Sequence, residues 1–173
     1  SSPAGTKMRS AGSSVPHRPQ LHPAQVAFGL AQSRWGYKTE EDVREVARQY
    51  KEHDLPLDMI CMDIEYMQDY ADFTVNKERF PDLTKLSADL KAQGIRLVPI
   101  IDAGVRVDPN DSTCTEGLEK GYFCKKADGT PFVAAVWPGK AYFADFLRPE
   151  VREWFGHKYK ALTDCGIEAS GTI

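Results

Sequence analysis

A cluster of acidic and aromatic residues follows a short apolar run near the middle of the chain. The run occupies residues 59–62 and stops at Asp63, after which come Glu65, Tyr66, Asp69, Tyr70, Asp72 and Phe73. A strand that is buried on both faces of a parallel sheet has such a continuous apolar sequence. Polar residues that follow it lie at the carboxyl edge of the sheet, where α/β proteins bind their ligands. The pattern therefore predicts a functional site at this edge.

The elements around this run alternate between strands and helices. Apolar runs predict strands at residues 26–31, 59–62 and 95–101 and from Ile167 onward, and apolar stripes predict helices that begin near Thr39, Asp82 and Pro149. Strands joined by crossover helices form a parallel sheet. Two architectures contain such a sheet, an open doubly wound fold and part of a (β/α)8 barrel, and the alternation alone fits both.

Local signals add detail to three of these segments. Thr39 and Asp42 have the spacing of a capping box, which predicts the start of the first helix. Pro99 lies inside the third predicted strand, which argues against a central position unless Pro99 falls near the strand's end. Residues 103–148 are a long polar and aromatic segment, and loops of this length are usually functional or contain small elements of their own.

The composition is that of an ordinary globular domain. The 173 residues are 42% hydrophobic and 27% charged and have a net charge of −3, so neither nucleic acid nor a membrane is an expected partner. No apolar stretch reaches the roughly 20 residues of a membrane span, and no signal peptide is evident, so a cytoplasmic location is slightly favoured. Residues 1–23 are interpreted as a flexible leader or linker.

Cysteines and histidines indicate neither a metal site nor a cofactor. Cys61, Cys114, Cys124 and Cys165 have no CxxC spacing and are interpreted as reduced thiols, with a bridge between Cys114 and Cys124 as the alternative. The histidines are scattered, and neither a GxGxxG nor a P-loop sequence is present. We therefore expect no metal, nucleotide or other cofactor.

Several short motifs occur in a specific order along the chain. They are Gln32-Ser33-Arg34-Trp35-Gly36-Tyr37, Asp63-Ile64-Glu65-Tyr66-Met67, Asp72-Phe73-Thr74, Arg79-Phe80-Pro81, Ile100-Ile101-Asp102, Asp128-Gly129 and Val136-Trp137-Pro138-Gly139. In this order and spacing they resemble glycoside hydrolase family 31, whose members are retaining α-glucosidases and α-xylosidases built on a (β/α)8 barrel. The resemblance implies that residues 24–168 form a partial barrel, the N-terminal half of the catalytic domain, with about four parallel strands and a long loop after the third. Residues 169–173 are then a tail outside the family pattern.

The resemblance also implies a pocket for the terminal sugar of an α-glucoside or α-xyloside. Asp63 matches the strand-two aspartate that binds sugar hydroxyls, and Ile64 lines the pocket beside it. Ile100 matches an isoleucine that packs against the sugar, and Trp137 matches a tryptophan of the pocket wall. The chemistry agrees, because a carboxylate accepts hydrogen bonds from two hydroxyls and an indole packs on the apolar face of a pyranose.

Each of these residues also has a structural interpretation. Asp63 could cap a loop or helix, Ile64 and Ile100 could be core residues, and Trp137 could be a turn anchor packed on the barrel wall. Glu65, Asp69 and Asp72 are expected to be solvated or structural. Trp35 and Tyr37 are expected to pack at a strand end rather than to contact a ligand.

The sequence departs from the family where catalysis would occur. A retaining glycosidase uses two carboxyl groups about 5–5.5 Å apart, and in the family the nucleophilic aspartate ends strand four. Here Ala169-Ser170-Gly171-Thr172-Ile173 follows Glu168, and the acid/base aspartate is expected beyond the end of the chain. We therefore assign no catalytic residue and interpret the chain as a glycosidase fragment that is inactive alone. A complementing barrel half or a second copy of the chain is its expected protein partner. The alternative is a non-catalytic carbohydrate-binding or interaction module derived from that barrel.

Overall fold

Four parallel strands form the main sheet of the computed structural model, which describes residues 28–172. In chain order the elements are β1 (Ala31–Arg34), α1 (Glu40–Glu52), β2 (Met59–Met62), two 3-10 helices (Ile64–Tyr66 and Gln68–Tyr70), α2 (Leu83–Lys91), β3 (Arg96–Ile101), β4 (Gly104–Arg106), α3 (Ser112–Glu119), β5 (Val133–Val136), β6 (Gly139–Phe143), α4 (Pro149–Lys158), α5 (Lys160–Thr163) and β7 (Gly171–Thr172). The strand order of the main sheet is β1-β2-β3-β7, and every pair is parallel. The predicted alternation of strands and crossover helices is thus present.

The first strand lies later in the chain than predicted. Residues 26 and 27 lie outside the described residues, and the strand begins at Ala31 and continues to Arg34, where we predicted a loop. Its register is set by β2, since Ala31 pairs with Met59, and the Asp58 carboxylate accepts a 2.8 Å hydrogen bond from the Leu30 N–H. The prediction failed because β1 is an edge strand of this sheet and is mostly exposed, so it needs no apolar run.

The first two helices begin and pack as predicted. Thr39 caps α1, and its side chain and that of Asp42 form both hydrogen bonds of the capping box. Asp82 caps α2 through a 2.8 Å bond from the Lys85 N–H. The leucines of α2 are buried, and Gly94 takes a positive φ of 83° just beyond the helix. Both helices therefore cover one side of the sheet with apolar faces.

Pro99 lies in β3, which is a central strand. Arg96 donates its N–H to Asp58 O, so alternate residues from Arg96 turn their backbone groups towards β2, and Pro99 faces the β7 side. There the β7 pairing starts only at Ile100, so the missing N–H of Pro99 costs no ladder bond. Pro99 O accepts a 2.7 Å hydrogen bond from Ser170 Oγ instead.

The long segment after β3 folds into a small unit of its own. Strands β4, β6 and β5 form an antiparallel sheet, and α3 packs beside it. Phe123 stacks on Tyr142 with ring centroids 5.0 Å apart and meets the Trp154 ring of α4 edge-on. The hairpin is therefore fastened to the helical layer of the barrel by an aromatic cluster.

The fourth strand of the main sheet is shorter than predicted. Gly166 ends the helical segment with a positive φ of 77°, but strand pairing starts only at Gly171, inside the segment that we assigned to a tail. Before it, Glu168 bonds Arg96 at 2.7 Å and also pairs with Lys91. These ion pairs connect the segment between α5 and β7 to the end of α2 and the start of β3.

Within residues 28–172 the structure contains neither a disulfide nor a membrane-spanning helix. The four cysteines are free, so the bridge between Cys114 and Cys124 is not formed. No helix in this range has both the length and the apolar character that crossing a membrane requires.

Two glycines on neighbouring helices give a matched test of the hairpin packing. A Cβ on Gly117 of α3 would lie 2.4 Å from the Phe123 ring, which is itself held by aromatic neighbours, whereas a Cβ on Gly156 of α4 meets nothing within 4 Å. We expect Gly117→Ala to lower the free energy of unfolding by about 1–3 kcal/mol through overpacking. Gly156→Ala should raise it by up to about 1 kcal/mol through helix propensity. Urea denaturation measures both, and equal effects of the two substitutions would contradict the packing.

The open edges of the main sheet predict self-association of the 173-residue chain. In the described sheet β1 and β7 each pair on one side only, and exposed edge strands pair with other chains. We expect size-exclusion chromatography to show aggregates or a pair of chains, and Ser33→Lys on β1 to shift the profile towards monomer. Ala88→Lys, which adds the same charge on the exposed face of helix α2, is the control. A compact monomeric wild type that melts cooperatively would oppose this prediction.

Candidate functional site

The carboxyl ends of the main strands bring two of the predicted site residues, Asp63 and Ile100, into one row. Arg34 pairs with Met62, and Met62 pairs with Pro99. The residues one step further are Trp35, Asp63 and Ile100, and Ile100 pairs with Gly171. Because parallel strands in register carry their next residues side by side, Asp63 and Ile100 are neighbours at the carboxyl edge of the sheet.

Asp63 performs a structural role without being fully buried. Its Oδ1 accepts a 2.7 Å hydrogen bond from the Ile64 N–H and caps the 3-10 helix that follows β2. The capping interpretation is therefore correct, but a carboxylate has further acceptor sites, and Asp63 is only half-buried. Ile64 and Ile100 are both buried in the core. Their side chains form part of the apolar core at the carboxyl edge of the sheet.

Trp137 lies in the turn between β5 and β6 and is 73% exposed. Its indole is therefore not packed on the barrel wall as a turn anchor. The turn is placed by its neighbour, because a Cβ on Gly104 would lie only 2.9 Å from Val136 Cγ2. Since β4 begins at Gly104, three residues after β3 ends at Ile101, this contact holds the Trp137 turn against the segment that leaves the carboxyl end of β3.

Trp35 was not predicted as a site residue. It follows β1 in the same row as Asp63 and is 66% exposed, whereas Tyr37, two residues on, is buried at 2% and packs as expected. The signal in the sequence was its position directly after a strand, which the misplaced first strand concealed.

The acids after β2 fall into an exposed and a buried group. Asp69 is exposed, but Glu65 and Asp72 are each only 3% exposed, so they are not solvated. Asp72 Oδ1 accepts a 3.0 Å hydrogen bond from the Asp102 N–H, while Asp72 Oδ2 and Glu65 Oε2 are buried without a hydrogen-bond partner. The loop therefore encloses acidic groups directly behind the row.

Burial raises the pKa of Asp72 to about 8, and the hydrogen bond from the Asp102 N–H opposes this shift. The carboxylates of Asp102 and Asp111 raise the pKa further. Burial also raises the pKa of the Tyr66 hydroxyl. Asp72 is consequently a neutral acid over much of the physiological range.

No metal-binding group is evident in the part of the chain that the structure describes, where no three His, Cys, Asp or Glu side chains could hold an ion together. What the row offers chemically is a carboxylate acceptor beside apolar and indole surfaces. Such a surface suits a small ligand with several hydroxyl groups and an apolar face.

Comparison with known proteins defines the class to which this fold and site belong. The glycosyl hydrolases family 31 TIM-barrel domain matches residues 20–171. The chain therefore belongs to glycosyl hydrolase family 31, and its parallel sheet is part of that family's (β/α)8 barrel, as the sequence motifs predicted.

Two of the relatives that the chain resembles are named as alpha-glucosidases. Alpha-glucosidase 2 of Bacillus thermoamyloliquefaciens is 49% identical over 146 residues, which are 84% of this chain and 19% of that protein. Neutral alpha-glucosidase C of Homo sapiens is 35% identical over 136 residues, 79% of this chain and 15% of that protein. The chain thus spans less than a fifth of the length of either relative.

Solved structures show the same partial match. The glucosidase II alpha subunit bound to Glc1Man2 superposes with a TM-score of 0.78 and 32% identity, over 83% of this chain and 16% of that one. A GH31 alpha-xylosidase from a soil metagenome, complexed with xylose, gives a TM-score of 0.75 and 29% identity, over 84% of this chain and 21% of that one.

The protonation of Asp72 predicts a pH dependence of stability. Its pKa in the folded chain is about 8 against an ordinary value of 3.8, so the folded state retains a proton that the unfolded chain releases. Between these values the free energy of unfolding falls as pH rises, by at most about 1.4 kcal/mol per pH unit. Asp72→Asn should flatten this slope between about pH 5 and pH 8.

Urea denaturation across this pH range measures the slope. The control is Asp69→Asn, an exposed carboxylate of the same loop, which should keep the wild-type slope. If Asp72→Asn and wild type have parallel pH profiles, Asp72 is ionised in the folded chain.

Proposed function

We propose that this chain is the part of a retaining α-glycosidase that holds the terminal glucose or xylose residue of the substrate. The observation that carries the proposal is the strand register, which makes Asp63 and Ile100 neighbours at the carboxyl edge of a family 31 barrel sheet. The edge at which barrel enzymes bind substrates is the same one.

Each residue of the site has a distinct part in binding the sugar. Asp63 accepts hydrogen bonds from ring hydroxyls through the acceptor sites that remain after it caps Ile64. Ile64 and Ile100 exclude water from the base of the pocket, which strengthens the polar contacts. Trp137 offers an exposed indole face to the apolar C–H side of the pyranose.

Two neighbours in structure support both sugars as candidates. One is a glucosidase II alpha subunit with a glucose-containing ligand, and the other is an alpha-xylosidase with xylose. Glucose and xylose share the ring hydroxyls that a single carboxylate can bind and differ at the exocyclic CH₂OH group. The residues of this row do not distinguish the two sugars.

Hydrolysis needs more than this chain supplies. A retaining mechanism uses one carboxylate as nucleophile and a second carboxyl group as acid/base. Residues 169–173, which include the strand next to β3, contain no carboxylate. We therefore propose that the chain binds sugar without cleaving it, and that cleavage requires the remaining half of a barrel on the open strand edges.

The second candidate is a carbohydrate-binding or interaction module that never hydrolyses a substrate. The exposed indole of Trp137 supports it, because such a ring can stack on a sugar without any catalytic group. Release of p-nitrophenol from its α-glucoside by the purified chain would contradict both non-hydrolytic interpretations. Turnover that persists in Asp63→Ala would indicate a different site or a contaminant.

Sugar binding tests the proposed pocket. We expect methyl α-glucoside or methyl α-xyloside to bind the wild-type chain, and Asp63→Ala to weaken binding by about 10-fold or more, because hydrogen bonds to charged groups are strong. Trp137→Ala should weaken it by about 3- to 10-fold through lost stacking. Saturation-transfer NMR and titration of backbone amide shifts measure these changes.

The matched control is Phe132→Ala, which removes another exposed aromatic ring beside the same hairpin and should leave binding unchanged. Methyl β-galactoside serves as the control ligand. If Phe132→Ala and Trp137→Ala have the same effect, the hairpin contributes through folding rather than through contact with the sugar.

A further inference from the structure

The carboxyl end of β3 extends beyond the last residue that pairs with β2. Arg96 donates to Asp58 O on the β2 side, and backbone groups in a strand alternate between its two neighbours. Ile100 and Asp102 therefore turn their backbone groups to the β2 side as well. The β2 pairing stops at Met62 opposite Pro99, so β2 has no residue beyond Met62 to bond Ile100 O and the Asp102 N–H.

Two side chains of the loop after β2 take the place of that strand. The Tyr66 hydroxyl donates a 2.7 Å hydrogen bond to Ile100 O, and Asp72 Oδ1 accepts a 3.0 Å hydrogen bond from the Asp102 N–H. Tyr66 is 0% exposed and Asp72 is 3% exposed. The Tyr66 hydroxyl thus supplies the donor that Ile100 O needs, and the Asp72 carboxyl group supplies the acceptor that the Asp102 N–H needs.

We propose that Tyr66 and Asp72 are positioning residues that continue the β2 ladder through side chains and so fix Ile100 beside Asp63. The effect on sugar binding rests on the proposed function, whereas the effect on the strand end does not. Neither residue is required to touch the sugar.

The burial of Asp72 is unfavourable in itself, which favours a role in geometry over one in stability. Its Oδ2 has no hydrogen-bond partner, and burying a polar atom without a partner costs free energy. The titratable groups that face it are the acids Asp102 and Asp111, and Tyr66 is influenced by Asp72 and by Tyr159. What Asp72 provides is a fixed acceptor for the backbone of the strand end.

The same contact reaches the proposed pocket wall. Asp102, held by Asp72, accepts a 2.7 Å hydrogen bond from the Ala103 N–H through its own carboxylate. The next residue is Gly104, against which Val136 packs. The position of the Trp137 turn therefore depends on the same strand end as Ile100.

Amide hydrogen exchange by NMR on the 173-residue chain tests the positioning directly. In Asp72→Ala, exchange of the Asp102 amide should accelerate by about 10-fold or more. The Val98 amide, within the part of β3 paired with β2, should keep its wild-type rate. Asp72→Asn, whose side-chain oxygen can accept the same bond, should restore slow exchange at Asp102.

The sugar readout is the Kd for methyl α-glucoside at a temperature where all variants are folded. We expect about 3- to 10-fold weaker binding in Asp72→Ala and in Tyr66→Phe, which keeps the ring and loses one hydrogen bond, and near-wild-type binding in Asp72→Asn. Tyr66→Phe also serves if Asp72→Ala does not fold. A purely structural role would lower stability in these variants without changing Kd in the folded chains.

The outcomes separate this inference from the proposed function. Unchanged exchange at Asp102, or equal acceleration at Val98, would overturn the positioning role. Unchanged Kd despite local acceleration would overturn its link to sugar binding. If the wild type binds no sugar while Asp102 still responds, the proposed function fails and the ladder-continuing role of the pair stands.

Discussion

The parallel pairing of β2 with β3 sets the geometry of the carboxyl edge of the sheet. Four residue pairs, from Met59 with Arg96 to Met62 with Pro99, fix the relative height of the two strands. That height decides which residues emerge together at the carboxyl edge. A slip of one residue would turn Asp63 and Ile100 away from each other, so their closeness is a product of strand register rather than of loop conformation.

Beyond the last residue pair, side chains make the hydrogen bonds that backbone groups of a neighbouring strand make elsewhere in the sheet. Asp63 caps a short helix, and Tyr66 and Asp72 bond the free backbone of β3. Buried acids in such a position are costly, because desolvation disfavours the charged form. Protonation resolves this for Asp72, whose raised pKa lets it remain within the protein as a neutral acid. The burial of Asp72 in this loop therefore makes the stability of the folded chain depend on pH.

The sequence was sufficient for elements that are defined by burial and poor for those that are not. Strand β2 and helices α1 and α2 have apolar patterns because their faces are covered, and their predicted positions are confirmed. Strand β1 is an exposed edge without such a pattern, and only its partner β2 determines where it lies. Family membership and the partial barrel followed from the order of the motifs and are confirmed by comparison.

Within the site, chemistry could be predicted and burial could not. The type and place of Asp63 indicated an acceptor at the strand end, whereas nothing local reveals that Asp72 turns inwards and Asp69 outwards. That difference arises from the backbone of the loop, where Asp69, Tyr70 and Phe73 all take positive φ values. Such conformations are uncommon for residues other than glycine, and they depend on packing across the whole loop. The role of Trp137 in sugar binding stays a prediction.

The two sides of the proposed pocket come from different parts of the fold and meet where Val136 packs against Gly104. The floor belongs to the barrel sheet, while the wall belongs to a hairpin held by its own aromatic cluster around Phe123. Changes within the hairpin can therefore alter the shape of the wall without disturbing strand register. The two parts meet at Gly104, where a side chain would collide with Val136, so the missing side chain of one residue lets the hairpin approach the end of β3.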